Sequence, residues 1–114
     1  MKKILLLIGI LFTSAASANY GCTGKVAYLG IDRSGSFWLS NGYGIHRLCS
    51  LNEEENNGFC RSWLTQALSA QAQDRSLVMI YRDTTGKESD DEETCRSIGN
   101  WVTPSDQLYF IRVL

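Results

Sequence analysis

The residues best suited to chemistry in this 114-residue sequence are Cys60 and the single histidine, His46. A thiol nucleophile needs a base within hydrogen-bond reach, and His46 is the only histidine that could serve. The chain is too short to build a substrate cleft between two lobes, and its even number of cysteines leaves no thiol to spare. We therefore predict that Cys60 has a structural role and that the protein is not an enzyme. His46 is expected to be a strand side chain with its tip in solvent or in a local hydrogen bond.

Other catalytic and metal-binding patterns are weak. A Ser-His-Asp triad has all its residue types, but no Gly-x-Ser-x-Gly motif supports it. The acidic run "ESDDEE" (88–93) lacks the alternating ligands and the glycine of an EF-hand loop. One histidine, without a defined set of carboxylates, does not make a transition-metal site. We predict no metal and no cofactor.

The first 18 residues have the pattern of a bacterial-type signal peptide. Lys2 and Lys3 precede an apolar run from Ile4 to Phe12, and the segment ends in Ala-Ser-Ala (16–18). The run is shorter than the roughly 20 residues that a membrane-spanning helix needs. We predict cleavage after Ala18, no membrane insertion of the mature chain, and a periplasmic or secreted protein. The mature chain, 19–114, is expected to be a single domain of 114 − 18 = 96 residues.

The charge of the mature chain argues against nucleic acid as a partner. Loss of Lys2 and Lys3 leaves nine basic and twelve acidic residues, a formal net charge of −3. A domain that binds nucleic acid or anionic lipid normally carries a basic patch, and none is present in the sequence.

The four cysteines, Cys22, Cys49, Cys60 and Cys95, predict two disulfides. They all lie in the mature chain, and small exported domains are commonly cross-linked. Their gaps of 27, 11 and 35 residues do not contain the close Cys-x-x-Cys pair of a typical zinc site. Four cysteines allow three pairings, and the residues alone do not choose among them.

Hydrophobic periodicity predicts three strands, one helix and two further strands. The strands are 25–32, 36–40, 45–51, 76–83 and 107–114, with turns at "RSG" (33–35) and "NGYG" (41–44). A polar loop is expected over 84–94. The helix follows Asn57, its predicted cap, and its apolar positions are expected to face inward: Cys60, Trp63, Leu64, Ala67 and Leu68.

Aromatic residues give the best indication of a binding surface. By strand parity, Tyr28 and Trp38 point away from the core side of neighbouring strands, and Tyr43 lies in a turn. Exposed rings with polar edges suit stacking against a sugar or packing against a protein. Such rings also stabilise a sheet without binding anything. Trp63 and Trp101 are expected in the core.

The element order β-β-β-α-β-β is that of a five-stranded OB-fold, a small β-barrel with one helix (α+β). With "LCSL" (48–51), "CRSWLTQAL" (60–68), "SLVMIYRD" (76–83) and "CRSIGNW" (95–101), the chain resembles the B subunits of bacterial AB5 toxins. It is also similar to small exported bacterial proteins of unassigned function. In an OB-fold the first and fourth strands are neighbours, so the resemblance implies disulfides Cys22–Cys95 and Cys49–Cys60.

The toxin B subunits bind cell-surface glycans and assemble into pentamers. The resemblance therefore implies a non-enzymatic binding protein that recognises a glycan or a protein partner and forms a homo-oligomer. An interaction or inhibitor protein of the envelope is the alternative function, and a small hydrolase is a third.

Overall fold

The computed structural model describes residues 19–52, 58–82 and 91–114, and of Asp91 only the backbone. The predicted signal peptide (1–18), the helix cap at Asn57 and most of the predicted 84–94 loop lie outside these residues. The described part contains six strands and two helices. They are β1 (Asn19–Lys25), β2 (Tyr28–Ile31), β3 (Ser36–Ser40), β4 (His46–Ser50), α1 (Phe59–Ala72), β5 (Ser76–Arg82), α2 (Asp91–Ser97) and β6 (Gln107–Val113).

The strands form two antiparallel sheets of three strands each. One has the order β1-β5-β6 and the other is the meander β2-β3-β4. The meander matches the second and third predicted strands, and the alternation of β3 places Phe37 and Leu39 fully in the core. The two sheets are not closed into a barrel. The architecture is thus a small α+β fold, mostly strands, with one main helix.

The predicted first strand, 25–32, is wrong as a single element. β1 ends at Lys25 and pairs along its whole length with β5, from Asn19 opposite Arg82 to Lys25 opposite Ser76. β2 begins at Tyr28 and belongs to the other sheet. Only two residues separate the strands, so the chain passes from one sheet to the other almost without a loop. The sequence prediction missed most of β1 because its two glycines, at 21 and 24, obscure the apolar alternation.

Asn41 joins the two sheets from the end of β3. Its side-chain amide donates to the carbonyl of Cys22 at 2.7 Å and to that of Leu77 at 2.9 Å. The side chain is almost fully buried. Gly24 makes this approach feasible, because a Cβ there would collide with the Asn41 carbonyl oxygen. A single buried amide therefore links β3 to both β1 and β5.

Helix α1 buries Cys60, Ala67 and Ala70, while Trp63 and Leu64 pack partly against the core. The prediction that Leu68 faces inward is wrong, since its side chain is 46% exposed. The buried face of the helix includes Ala67 and Ala70, and Leu68 lies outside that face. The helix begins after Gly58, whose positive φ of 81° supplies the turn.

Two disulfides connect Cys22 to Cys95 and Cys49 to Cys60, the pairing that the OB-fold resemblance implies. The first attaches α2 to β1, and the second attaches the first turn of α1 to β4. Helix α2 occupies the end of the stretch predicted as a loop, so that prediction is wrong for 91–94. An exposed ion pair between Glu92 and Arg96, four residues apart, supports the helix.

Two disulfides in a chain of this size suggest an oxidising extracellular or periplasmic environment. Within the described residues, neither helix has the length and apolar character needed to cross a membrane.

Candidate functional site

Three aromatic side chains meet on the outer face of the β2-β3-β4 sheet: Tyr28, Trp38 and Trp101. We call this cluster the aromatic platform. The ring centroid of Trp101 lies 5.4 Å from that of Tyr28 and 5.7 Å from that of Trp38. Tyr28 is 39% exposed and Trp101 is 55% exposed. The three rings therefore form one continuous aromatic surface that is open to solvent.

The register of β2 and β3 brings two members of the platform together. Tyr28 lies opposite Ser40, and Gly30 lies opposite Trp38, so Tyr28 and Trp38 are diagonal neighbours on one face. The Tyr28 ring lies over Gly30, where an added Cβ would come within 2.9 Å of the tyrosine oxygen. The absence of a side chain at position 30 leaves the room in which these rings pack.

Trp101 reaches the platform from an irregular segment beside β4. Its φ is +58°, a left-handed conformation that is rare and strained for a bulky residue. The Trp101 N–H donates to the carbonyl of Ile45 at 2.8 Å, and the Ile45 N–H donates to Oδ1 of Asn100 at 2.8 Å. Val102 continues alongside β4 by accepting the N–H of Arg47. These bonds hold the tryptophan in a conformation it would otherwise avoid.

Asp32 fixes the orientation of the Trp38 ring. Its Oδ2 accepts the indole N–H of Trp38 at 2.9 Å, while its Oδ1 accepts the backbone N–H groups of Ser34 and Ser36. Hydrogen bonds from the Ser34 hydroxyl and the Trp38 indole lower the pKa of Asp32 from 3.8 to about 2. The carboxyl group is therefore ionised at neutral pH and accepts these bonds as an anion.

Tyr43, the third residue predicted for binding, does not join the platform. Its hydroxyl donates to the carbonyl of Thr23 at 3.3 Å, and its ring packs against the edge of the core. The structure places Trp101 at the platform instead, so the prediction that Trp101 belongs to the core is wrong. The turn-forming pair Gly99-Asn100 and the nearby Pro104 were the signals in the sequence that this tryptophan lies in an irregular, exposed segment.

His46 is buried and hydrogen-bonded, so of the two predicted alternatives the solvent-exposed tip is wrong, and the hydrogen bonds are made to residues distant in the chain. Its side chain is 2% exposed, with Nδ1 at 2.9 Å from the Tyr81 hydroxyl and Nε2 at 3.0 Å from the Gly99 carbonyl oxygen. A carbonyl oxygen only accepts, so Nε2 carries the proton and Nδ1 accepts the hydroxyl of Tyr81. Burial lowers the pKa of His46 below 6.5 and keeps the ring neutral. The histidine thus connects β5 to the segment that carries Trp101.

The two residues singled out for chemistry are both engaged in structure. Cys60 is bonded to Cys49, and His46 has both ring nitrogens hydrogen-bonded inside the protein. Among residues 19–52, 58–82 and 91–114, no group of three or more histidine, cysteine, aspartate or glutamate side chains is arranged to hold a metal ion. The aromatic platform is the feature of the described surface that best fits a binding role.

Comparison with protein-family models, curated proteins and solved structures finds no match to this chain. The chain is a small α+β protein with two disulfides and an exposed aromatic platform.

Proposed function

We propose that this protein is a non-enzymatic binding protein that recognises carbohydrate through the aromatic platform. The observation that carries the proposal is the position of Trp101: more than half exposed, held at a positive φ, and in ring contact with both Tyr28 and Trp38. A tryptophan placed for stability alone would be expected in the core. Strained residues of this kind concentrate at functional sites.

The chemistry of the platform suits a sugar ring. One face of many pyranoses presents a patch of C–H groups, which pack against the electron-rich face of an aromatic ring. Tyrosine and tryptophan also place a polar group at the edge of that apolar surface. The ionised Asp32 lies beside Trp38 at the edge of the platform. Its carboxylate oxygens are acceptors of the kind that sugar hydroxyls need.

The resemblance to toxin B subunits supports this proposal. On the same resemblance we also propose a fold and a cellular compartment for the protein. We infer an OB-fold-like arrangement in which β1 and β2 are two halves of one bent strand. The support is their two-residue separation and the ladder-like bond from the Ala27 N–H to the Ser40 carbonyl at 2.8 Å. We also infer export by a cleaved signal peptide, residues 1–18, to the periplasm or the exterior.

A glycan array probed with the mature protein tests the proposal. Binding to particular glycans is expected, and replacement Trp101→Ala should weaken it by about fivefold or more, since loss of a ring contact and its buried area costs at least about 1 kcal/mol. Tyr109→Ala is the matched control, because Tyr109 is 53% exposed and lies on β6 outside the platform. Absence of glycan binding, or equal loss in both variants, would refute the proposal.

A protein partner or a second copy of the chain is the second candidate. Strand β6 is the last in the order β1-β5-β6, and it exposes Tyr109 and Phe110. An exposed apolar edge strand is suited to pairing with another chain. Light scattering on the mature protein tests self-association: an oligomer that Phe110→Lys converts to a monomer would support it, and a monomer at all concentrations would exclude it.

A further inference from the structure

A cavity of about 230 Å³ opens beside the first turns of α1, separate from the rings of the aromatic platform. It lies between α1, β4 and the segment 103–108 that leads into β6. Its walls combine aromatic, aliphatic and charged groups, among them Arg47, Leu48, Phe59, Trp63, Pro104 and Asp106.

Arg47 lines the cavity and forms no ion pair with the residues that the structure describes. Its Nε donates to the Ser36 hydroxyl at 2.8 Å, which fixes the orientation of the guanidinium. In the part of the chain that the structure describes, the ion pairs are Lys25–Asp74 and Glu92–Arg96, so Arg47 has no carboxylate partner there. Arg47 is half-buried as a residue, and with its Nε fixed its terminal nitrogens can hold a carboxylate through charge-assisted hydrogen bonds.

Two aromatic rings on α1 form the apolar wall of the cavity. Phe59 and Trp63 lie one helical turn apart, with ring centroids at 4.7 Å in an edge-to-face arrangement. Phe59 is 41% exposed although it stands beside the buried Cys60. An apolar group placed against these rings would bury aromatic surface that now faces solvent.

Asp106 also borders the cavity, but its carboxylate already accepts a hydrogen bond from within the protein. It is 8% exposed, and its Oδ2 accepts the hydroxyl of Tyr20 at 2.7 Å. Its negative charge disfavours an anion at that end of the cavity. A bound anion is therefore directed toward Arg47.

We propose that this cavity binds a small carboxylic acid with an apolar body. The carboxylate contacts the Arg47 guanidinium, and the body packs between the Phe59–Trp63 wall and Pro104. The cavity is smaller than the pockets of drug-sized ligands, which suits a compact body such as a phenyl ring or a branched alkyl group. A free acid and the C-terminal residue of a peptide both present this chemistry. The inference does not rest on the carbohydrate proposal.

Titration of the ¹⁵N-labelled mature protein with phenylacetate, followed by NMR, tests the proposal. We expect saturable shifts of the Trp63 indole signal and of the 103–108 backbone amides, with the Trp101 indole signal unchanged. Phenylacetamide, which has the same body without the charge, should bind about tenfold more weakly, because it cannot form a charge-assisted hydrogen bond with Arg47. N-acetyl-phenylalanine tests the peptide source: tighter binding than phenylacetate assigns the site to a chain terminus, and weaker binding assigns it to a free acid.

Three variants check the assignment. Arg47→Met should reduce the affinity for phenylacetate to that for phenylacetamide, while Arg112→Met, which removes an exposed arginine on β6, should leave it unchanged. Ser105→Phe, at an exposed position on the rim, should fill the cavity and abolish binding without disturbing the core. Equal binding of the acid and the amide, shifts confined to the Trp101 indole, or no saturable binding by the unaltered protein would overturn the proposal.

Discussion

At the scale of single residues, the aromatic platform depends on one carboxylate. Asp32 is fully exposed, yet its hydrogen bonds hold its pKa at about 2. A lowered pKa means that the anionic form is favoured in the folded protein. The bond from the Trp38 indole is therefore complete above pH 3.8 and is lost as the pH falls toward 2.

We predict that Asp32→Asn frees the Trp38 indole. Asparagine has one acceptor oxygen where aspartate has two, so it cannot accept both the backbone N–H groups of Ser34 and Ser36 and the indole N–H. The Trp38 Nε1 proton should therefore exchange with solvent faster and its NMR signal should move. The unfolding temperature should change little, because the carboxylate is exposed. Asp74→Asn, at another exposed carboxylate that pairs with Lys25, should leave the Trp38 signal in place. An unchanged Trp38 signal in Asp32→Asn would contradict this role.

His46 makes the stability of the protein depend on pH. Its pKa is lowered by burial, so the unfolded chain takes up a proton near pH 6.5 while the folded protein does not. The unfolded state then binds more protons, and the stability falls as the pH decreases below 6.5. We expect the urea midpoint to drop between about pH 7.5 and about pH 5.5.

The variant His46→Gln should flatten this pH dependence. Its side-chain amide can still donate to the Gly99 carbonyl, but it does not titrate. We expect lower stability than the unaltered protein at about pH 7.5 and a smaller change on acidification. If the midpoint of the variant falls as steeply as that of the unaltered protein, another group is responsible.

At the scale of elements, the position of Trp101 depends on a close approach between two backbone segments. Gly44, before β4, has φ +107°, and a Cβ there would collide with the carbonyl oxygen of Gly99. That carbonyl accepts the bond from His46 and lies two residues before Trp101. Any side chain at position 44 therefore pushes directly on the segment that carries the tryptophan.

We predict that Gly44→Ala displaces Trp101 and weakens carbohydrate binding. Gly42→Ala is a matched control, since Gly42 has the same φ of +107° but open space around its Cα. Gly42→Ala should lose about 1 kcal/mol of stability through the unfavourable backbone conformation, and Gly44→Ala should lose more because its Cβ also collides with the Gly99 carbonyl oxygen. Only Gly44→Ala should shift the Trp101 indole signal and lower affinity. Equal effects of the two substitutions would mean that the contact with Gly99 does not position the platform.

At the scale of the whole molecule, the two disulfides close loops of very different length. Cys22–Cys95 spans 73 residues and Cys49–Cys60 spans 11. In the chain-entropy model a longer loop restricts the unfolded state more, giving about 4 kcal/mol for the first and about 3 kcal/mol for the second.

We therefore expect the double variant Cys22→Ser, Cys95→Ser to unfold at lower urea concentration than Cys49→Ser, Cys60→Ser. Urea denaturation of the two variants and the unaltered protein measures the difference. A greater loss from Cys49→Ser, Cys60→Ser would show that the attachment of α1 to β4 matters more than loop closure.

The sequence predicted the elements whose signals are local. Strand β3 and helix α1 follow from their own periodicity, and the outward direction of Tyr28 and Trp38 follows from strand parity. The burial of His46 was beyond such reasoning, because its partners lie 35 and 53 residues away along the chain. The exposure of Trp101 depends in the same way on a distant partner, since its N–H is bonded to the carbonyl of Ile45. Of the three platform residues, only Tyr28 and Trp38, which lie on strands, could therefore be predicted from the sequence.

Asn41, the buried amide that links the sheets, is also a potential site of chemical degradation by deamidation. It is followed by Gly42. An asparagine before a glycine deamidates most readily, because the glycine nitrogen can attack the asparagine side-chain carbonyl carbon without steric hindrance and release ammonia. In the folded protein its amide nitrogen is bound by two carbonyl oxygens and shielded from water. Deamidation would set a carboxylate against those same two oxygens. The folded chain is therefore protected from this damage, whereas a chain that lingers unfolded loses the group it needs to bring its sheets together.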